Sequence, residues 1–258
     1  MIEQIKIGCA STKTTYGHRL DTTLFELNSD AKISGLFTSN KFKSAPVQIC
    51  LDQLKAKMKG KKMLAINAGN ANAATGKKGV SDAKKLIQEI SNLTNISTTQ
   101  ILPFSTGVVG QLLDVKQLSS AFNKCFKNLS KNSWDDFAKA IMTTDTKSKI
   151  IKLPFKAGSK KYHIVGIAKG VGMIEPNMAT TLSYVFTDLK IPELTLRKLH
   201  KRICDKTFNA ISIDGDQSPS DSSILVATGS SKVNFKNYSK KIEKDFFSIF
   251  SKLSEKLV

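Results

Sequence analysis

Apolar and polar positions follow recognisable periods along most of the chain, and the period changes from one stretch to the next. Near the beginning they read as short strands. Thr22-Thr23-Leu24-Phe25-Glu26-Leu27 and Ile33-Ser34-Gly35-Leu36-Phe37 are parted by the turn-forming Asn28-Ser29-Asp30, and Lys62-Met63-Leu64-Ala65-Ile66 runs into a loop of small residues. Helical spacing follows: Ala83, Leu86, Ile87 and Ile90 fall at i, i+3, i+4, i+7 with Ser81 or Asp82 placed to cap, and Leu118, Ala121, Phe122 and Cys125 repeat the spacing after Asp114. Strand patterns return at Ile150 to Phe155, Tyr162 to Ile167 and Thr181 to Thr187. A helix from about Pro192 to Lys206 then leads to strands Ala210 to Asp214 and Ser223 to Thr228, and a last helix begins near Asn237. Strands and helices mixed without regular βαβ alternation predict an α+β fold over a doubly wound sheet.

Composition narrows the class. The chain has 258 residues, 40% of them hydrophobic, enough for a core that excludes water. It has no run of eighteen apolar residues and no apolar h-region at its start, so a soluble, cytoplasmic protein is expected, with no membrane partner. The net charge of +19 raises nucleic acid as a partner, but 37 of the 40 cationic residues are lysines spread over every segment. The reading is a solvated lysine surface and no nucleic acid. Four scattered cysteines without a CxxC pair and three histidines without ligand spacing point to reduced thiols and no structural metal.

Four stretches are rich in Gly, Ala, Ser, Thr and Asn, each where a strand is expected to end: Asn67 to Ala73, Ser105 to Gly110, Met142 to Thr146, and Lys169 to Thr181. Glycine lets backbone N–H groups approach a ligand, and hydroxyls supply donors without bulk. Neither phosphate fingerprint is met. Six residues separate Gly69 from Gly76-Lys77 and Lys78 follows, against the four and the Ser or Thr of a P-loop, while Gly170-Val171-Gly172 lacks the third glycine of a dinucleotide site.

The fourth stretch, Lys169-Gly170-Val171-Gly172-Met173-Ile174-Glu175-Pro176-Asn177-Met178-Ala179-Thr180-Thr181-Leu182, closely resembles the processing-site signature of the ornithine acetyltransferases (glutamate N-acetyltransferases). In that family the bond before a threonine breaks autocatalytically. Carried onto this sequence, the break falls between Ala179 and Thr180, dividing an α-chain-like segment 1–179 from a β-chain-like segment 180–258. The chemistry is coherent on its own terms: a threonine hydroxyl is a weak nucleophile, and a newly freed α-amine, with a pKa near 8, can serve as its base. By periodicity alone Thr180 reads as the β-branched opening of a buried strand. The fixed order of Gly, Gly, Met, Pro, Met and Ala-Thr-Thr turns the reading towards a nucleophile.

The resemblance extends to the other stretches and implies roles for them. Ser105-Thr106-Gly107-Val108-Val109-Gly110 resembles the family's oxyanion-hole loop, implying that the Thr106 hydroxyl and the Gly107 N–H face the developing negative charge, with Val108 and Val109 packed in the core. Substrate contact is implied for Thr143 or Thr144 in the third stretch and for Lys169, eleven residues before the nucleophile. Phe208 to Ser222 resembles a further block; Asp214 and Asp216 flank a glycine there and are read as a turn, in preference to a metal or acid–base pair. Val171, Glu175 and Ser220-Asp221 depart from the usual family residues.

The implied fold is the layered α-β-β-α self-processing fold shared with related aminopeptidases. The implied activity is ping-pong acetyl transfer from N2-acetylornithine to L-glutamate, with acetyl-CoA as a further donor in some members and no metal or organic cofactor. The implied assembly is a heterotetramer of two α and two β chains. Family members run on past the equivalent of Val258, where a substrate-binding glutamate and a carboxyl-terminal Asn and Ser or Thr are found, so a truncated chain is expected. The alternatives are an inactive or complementation-dependent fragment and a related amide hydrolase or aminopeptidase.

Overall fold

The computed structural model describes residues 2–130, 133–157, 160–172, 181–231 and 239–258. Their elements are, in chain order, β1 (Ile5–Ala10), β2 (Thr22–Leu27), β3 (Lys32–Phe37), α1 (Ala45–Lys55), β4 (Lys62–Asn70), α2 (Gly76–Thr94), β5 (Ile101–Val108), α3 (Val115–Lys127), α4 (Trp134–Ala140), β6 (Lys149–Ala157), β7 (Lys160–Lys169), β8 (Leu182–Thr187), α5 (Glu193–Cys204), β9 (Ser222–Ala227) and α6 (Lys240–Leu257). They form two compact units, one of Ile5–Ser29 with Asn40–Ser148, the other of Met1–Gln4, Asp30–Ser39 and Lys149–Val258.

The first unit is built on a sheet of order β1-β2-β4-β5. β2 pairs antiparallel with β1 and β4, while β4 and β5 run parallel, an arrangement that needs the crossover α2 provides. Successive strand side chains point to opposite faces, and the helices divide accordingly. Leu24, Met63, Ala65 and Ile101 share one core with the apolar stripes Ala83, Leu86, Ile87, Ile90 of α2 and Leu118, Phe122, Cys125 of α3. On β2 the next residue, Phe25, instead meets α4, its ring edge-on to Phe137 at 4.7 Å between centroids and 6.2 Å from Trp134.

The second unit holds a sheet of order β3-β9-β8-β7-β6, in which β8 and β9 alone run parallel. Leu196, Leu199 and Ile203 of α5 and Phe246, Phe250, Leu253 and Leu257 of α6 cover it, joining Val185, Leu225 and the stacked pair Phe155 and Tyr162 in one core. Burying a side chain of this size contributes roughly 1.5–3 kcal/mol, so these two stripes anchor both helices.

Several expectations are corrected. The helix over Ala83 to Ile90 begins at Gly76, and Asp82, read as a cap, lies buried inside it as the partner of Lys78 one turn earlier. Asp114 does cap α3, accepting from the Gln117 N–H at 2.9 Å. Ala210 to Asp214 is not a strand: a single 3-10 turn over Phe208–Ala210 is followed by exposed chain with Ile213 in solvent. β1, α1 and α4 were not foreseen, although Ser44-Ala45-Pro46, with proline in the first helical turn, is a start signal for α1. Met142 to Thr146 follows α4 and not a strand.

Beneath α5 the second unit carries a buried polar hub. His200 is fully enclosed, its Nδ1 2.9 Å from Ser34 Oγ on β3 and its Nε2 3.0 Å from Ser223 Oγ on β9, which in turn accepts from Ser183 Oγ on β8 at 2.7 Å. Phe250 of α6 lies over the ring. Burial holds the imidazole neutral, its pKa lowered from 6.5 to about 3. The unfolded chain therefore takes up a proton that the folded chain refuses, and stability is lost as pH falls from 6.5 towards 3. Urea denaturation across that range should show a slope of up to about 1.4 kcal/mol per pH unit from this group, superimposed on the carboxylates. His200→Gln should lower stability at neutral pH and remove that slope; an unchanged slope would assign the proton elsewhere.

Candidate active site

The parallel pair β4 and β5 places the first two small-residue stretches side by side, in register Asn67 with Ser105, Ala68 with Thr106 and Gly69 with Gly107, before a bulge at Asn70. Ser105 Oγ donates to the buried Asn67 Oδ1 at 2.6 Å, and Asn67 Nδ2 donates to the Asn70 carbonyl at 2.8 Å, so the buried amide is spent on holding the strand end together. Gly107 has φ +124°, and a Cβ there would stand 2.4 Å from the carbonyl carbon of Gly69. No side chain fits that gap. Gly69 itself has φ +103°, and its would-be Cβ would meet Thr15 Oγ1 at 2.9 Å. The two backbones are thus in direct contact, with the buried Thr106 hydroxyl residue beside them.

Beyond the strand ends the loops are tied to each other. The Ala71 N–H donates to the Val108 carbonyl and the Gly110 N–H to the Ala73 carbonyl, each at 2.9 Å. Asn70 Nδ2 reaches the Gln111 and Leu112 carbonyls, and Thr75 Oγ1 donates to Asn72 Oδ1. Val108 and Val109, expected in the core, are 43% and 47% exposed. Val108 ends β5 opposite Asn70 at the bulge, and the chain leaves the sheet there with both valines partly in solvent.

The third stretch forms a turn in the same unit. Asp145 is buried, and its Oδ2 accepts from the Thr143 N–H at 3.1 Å; Thr143 is half-buried and Thr144 exposed. Arg19 Nη2 donates to the Met142 carbonyl at 2.7 Å, an attachment that no reading of the sequence suggested. The available signal was slight: Arg19 is one of only three arginines, in a loop marked by Gly17.

In the other unit, Lys169 ends β7 opposite Leu182, the first residue of β8. It is buried, as Lys62 is, unlike the exposed lysines that dominate the composition. Lys149 Nζ donates to the Gly170 carbonyl at 3.1 Å. Ala179 and Thr180 lie outside the described residues, as does the rest of 173–180. The chain next to them is fixed: the Ser222 N–H donates to the Thr181 carbonyl at 3.1 Å, which attaches the start of β8 to the start of β9. Asp214 and Asp216 form the expected turn, the Asp216 N–H meeting Asp214 Oδ1 at 3.4 Å around Gly215 at φ +71°.

The cysteines are not set up as nucleophiles. All four cysteines are buried free thiols, and burial pushes each pKa up, Cys9 and Cys204 to about 12. Among the described residues no group of His, Cys, Asp or Glu is placed to hold a metal ion, and no helix is long and apolar enough to cross a membrane.

The sequence profile of the ArgJ family matches residues 4–258. The arginine biosynthesis bifunctional protein ArgJ of Colwellia psychrerythraea is 41% identical over 239 residues, covering 89% of this chain and 56% of the relative. That of Methylococcus capsulatus is 36% identical over 227 residues, covering 88% and 55%. The chain thus spans about half the length of the curated relatives it matches. The crystal structure of ArgJ from Bacillus halodurans superposes with a TM-score of 0.57 at 27% identity, over 69% of this chain and 92% of that one. An aminopeptidase from Ochrobactrum anthropi, described as a variant of the Ntn hydrolase fold, superposes with a TM-score of 0.50 at 11% identity over 99% and 84%. The α+β fold expected from the sequence is the fold this chain has, and the ArgJ structure shares it.

The junction of Gly69 and Gly107 makes a quantitative prediction. Gly110 also has positive φ, +86°, but has nothing within 4 Å of a would-be Cβ. Gly110→Ala should cost about 1 kcal/mol for the left-handed backbone, whereas Gly107→Ala should cost about 2 kcal/mol more as the strands are forced apart. Denaturant midpoints of the two variants, compared at equal m, measure the difference, and equal values would refute the close packing.

Proposed function

Because the chain belongs to the ArgJ family, we propose that it carries the nucleophile and oxyanion hole of an acetyltransferase that moves the acetyl group of N2-acetylornithine to L-glutamate in arginine biosynthesis. What most supports this reading is the bare contact of Gly107 on Gly69 beside Thr106: a peptide with no side chain and a small hydroxyl stand at the open end of a parallel strand pair. Preorganised donors of this kind can stabilise a developing oxyanion by roughly 3 kcal/mol each.

In this mechanism Thr180 Oγ first attacks the Ala179 carbonyl and the C–N bond breaks, leaving an ester and the free α-amine of a segment 180–258; water then hydrolyses the ester, releasing the Ala179 carboxylate of a segment 1–179 and restoring the hydroxyl. That amine then takes the hydroxyl proton as Thr180 Oγ attacks the acetyl carbonyl of N2-acetylornithine. Thr106 and Gly107 hold the tetrahedral oxyanion; its collapse expels ornithine, whose amine receives the proton. The glutamate amine attacks the acetyl-threonine in turn, and N-acetylglutamate leaves with Thr180 restored. Lys169 and Thr143 or Thr144 contact the substrate, the lysine suiting a carboxylate. Acetyl-CoA is a second donor to the same threonine. The assembly is a heterotetramer of two of each segment in the cytoplasm.

Since the chain spans about half of its relatives, the test has two arms: the chain alone, and the chain co-expressed with the remaining carboxyl-terminal segment of the Colwellia relative. Intact-mass analysis should find two products meeting at Ala179 and Thr180, and Thr180→Val should leave one uncut chain without acetyl transfer. Thr106→Val should lower kcat by about a hundredfold or more. Full transfer by an uncut Thr180→Val protein would end the proposal, and release of free acetate without glutamate would favour a hydrolase.

A further inference from the structure

The loop between β1 and β2 has no role in the chemistry above, yet it lies against Gly69, on which Gly107 packs, and is bonded to the Met142–Thr146 stretch. Tyr16 and Thr15 pack on Gly69, where a Cβ would lie 3.4 Å from Tyr16 Cε2 and 2.9 Å from Thr15 Oγ1. The Arg19 guanidinium lies over the Tyr16 ring, Cζ 3.8 Å from the centroid, and its Nη2 donates at 2.7 Å to the Met142 carbonyl, where the turn of Thr143, Thr144 and Asp145 begins. A continuous line of contacts therefore runs from Gly107 through Gly69, Tyr16 and Arg19 to that turn, all within one compact unit.

The line is held at each step. The loop is pinned at its base by Asp21, whose carboxylate accepts from the Thr12 N–H at 2.8 Å and from the Thr12 hydroxyl, and whose carbonyl accepts from the Ala68 N–H at 2.7 Å. Asp145 approaches closely enough that, with burial as the main cause and Arg19 acting against it, the carboxylates of Asp21 and Asp145 help push the Tyr16 hydroxyl up. Arg19 Nε is buried with no acceptor among the described residues, a desolvation cost that a solvated surface arginine would not carry. A guanidinium can stack on the ring and donate in its own plane at once, which an ammonium cannot do.

We propose that Arg19, stacked on Tyr16, is a positioning residue that fixes the Met142–Asp145 turn relative to the Gly69 and Gly107 junction, and so sets the spacing between the substrate threonines and the oxyanion donors. The inference rests on the reading of Thr106, Gly107, Thr143 and Thr144 given above. Neither Arg19 nor Tyr16 touches the reacting atoms. Their effect passes through the Met142 carbonyl and through Gly69.

The test uses the chain co-expressed with the carboxyl-terminal segment of the Colwellia relative, and reads amide hydrogen exchange together with steady-state acetyl transfer. In Arg19→Met and in Tyr16→Ala the Thr143 amide should exchange about tenfold faster or more, with the amides of β4 and β5 unchanged. KM for N2-acetylornithine should rise about tenfold while kcat stays within about threefold. Tyr16→Phe, which keeps the ring, should restore both. Unchanged exchange at Thr143, uniform acceleration across the unit, or a fall in kcat at constant KM would each overturn the inference. If the unsubstituted protein transfers no acetyl group while Thr143 exchange still responds to Arg19, the positional tie stands and the functional reading is what fails.

Discussion

Direct contact between the backbones of Gly69 and Gly107 is the constraint on which the first unit's loops depend. Two chains at the end of a parallel strand pair lie closer than one methyl group would allow, and both do so at positive φ. A left-handed, unsubstituted backbone is the only solution to that geometry. From it follow the bulge at Asn70, the exit of Val108 and Val109 into solvent, and the shelf on which Thr15 and Tyr16 rest. The asparagines around it, Asn67, Asn70 and Asn72, are spent on backbone groups and hydroxyls of the same loops and, for Asn72, on the Gly79 carbonyl of α2, so their amides serve shape.

The second unit solves a different problem, joining three strands and a helix through a polar centre in an otherwise apolar core. His200 has a donor and an acceptor nitrogen in its neutral form, and each finds a serine hydroxyl, Ser34 on one side and Ser223 on the other. Ser183, bonded to Ser223, belongs to the strand whose first residues follow the expected nucleophile. Satisfied buried polar groups favour one arrangement over near alternatives, because any shift leaves a hydroxyl or a ring nitrogen unpaired.

What could be read from the sequence was whatever is local. The stripes of α2, α3 and α5, the alternation in β2 and the hairpin of β6 and β7 are visible because periodicity is a property of neighbouring residues. The stretch from Lys169 to Thr181 is legible because its residues stand in the fixed order of a family signature. Tertiary contacts were not. Nothing in the local pattern shows that Asp82 pairs with Lys78 instead of capping, that Ile213 sits in water, or that Arg19 reaches a carbonyl 123 residues away. β1 escaped notice because Gly8 and Cys9 blur its alternation, and Ala210 to Asp214 imitated a strand without having one to pair with.

The strand order of the second sheet bears on what happens to a chain severed between Ala179 and Thr180. β8 and β9 would belong to the downstream product, flanked by β3 on one side and by β7 and β6 on the other, all from the upstream product. Neither product would own the whole of this second sheet, because β8 pairs with β7 and β9 with β3 across the two polypeptides. Two such products would share the ladders of one sheet. Once denatured, such halves would have to find each other again in a bimolecular encounter, so unfolding after a cut at that bond would become in effect a one-way event.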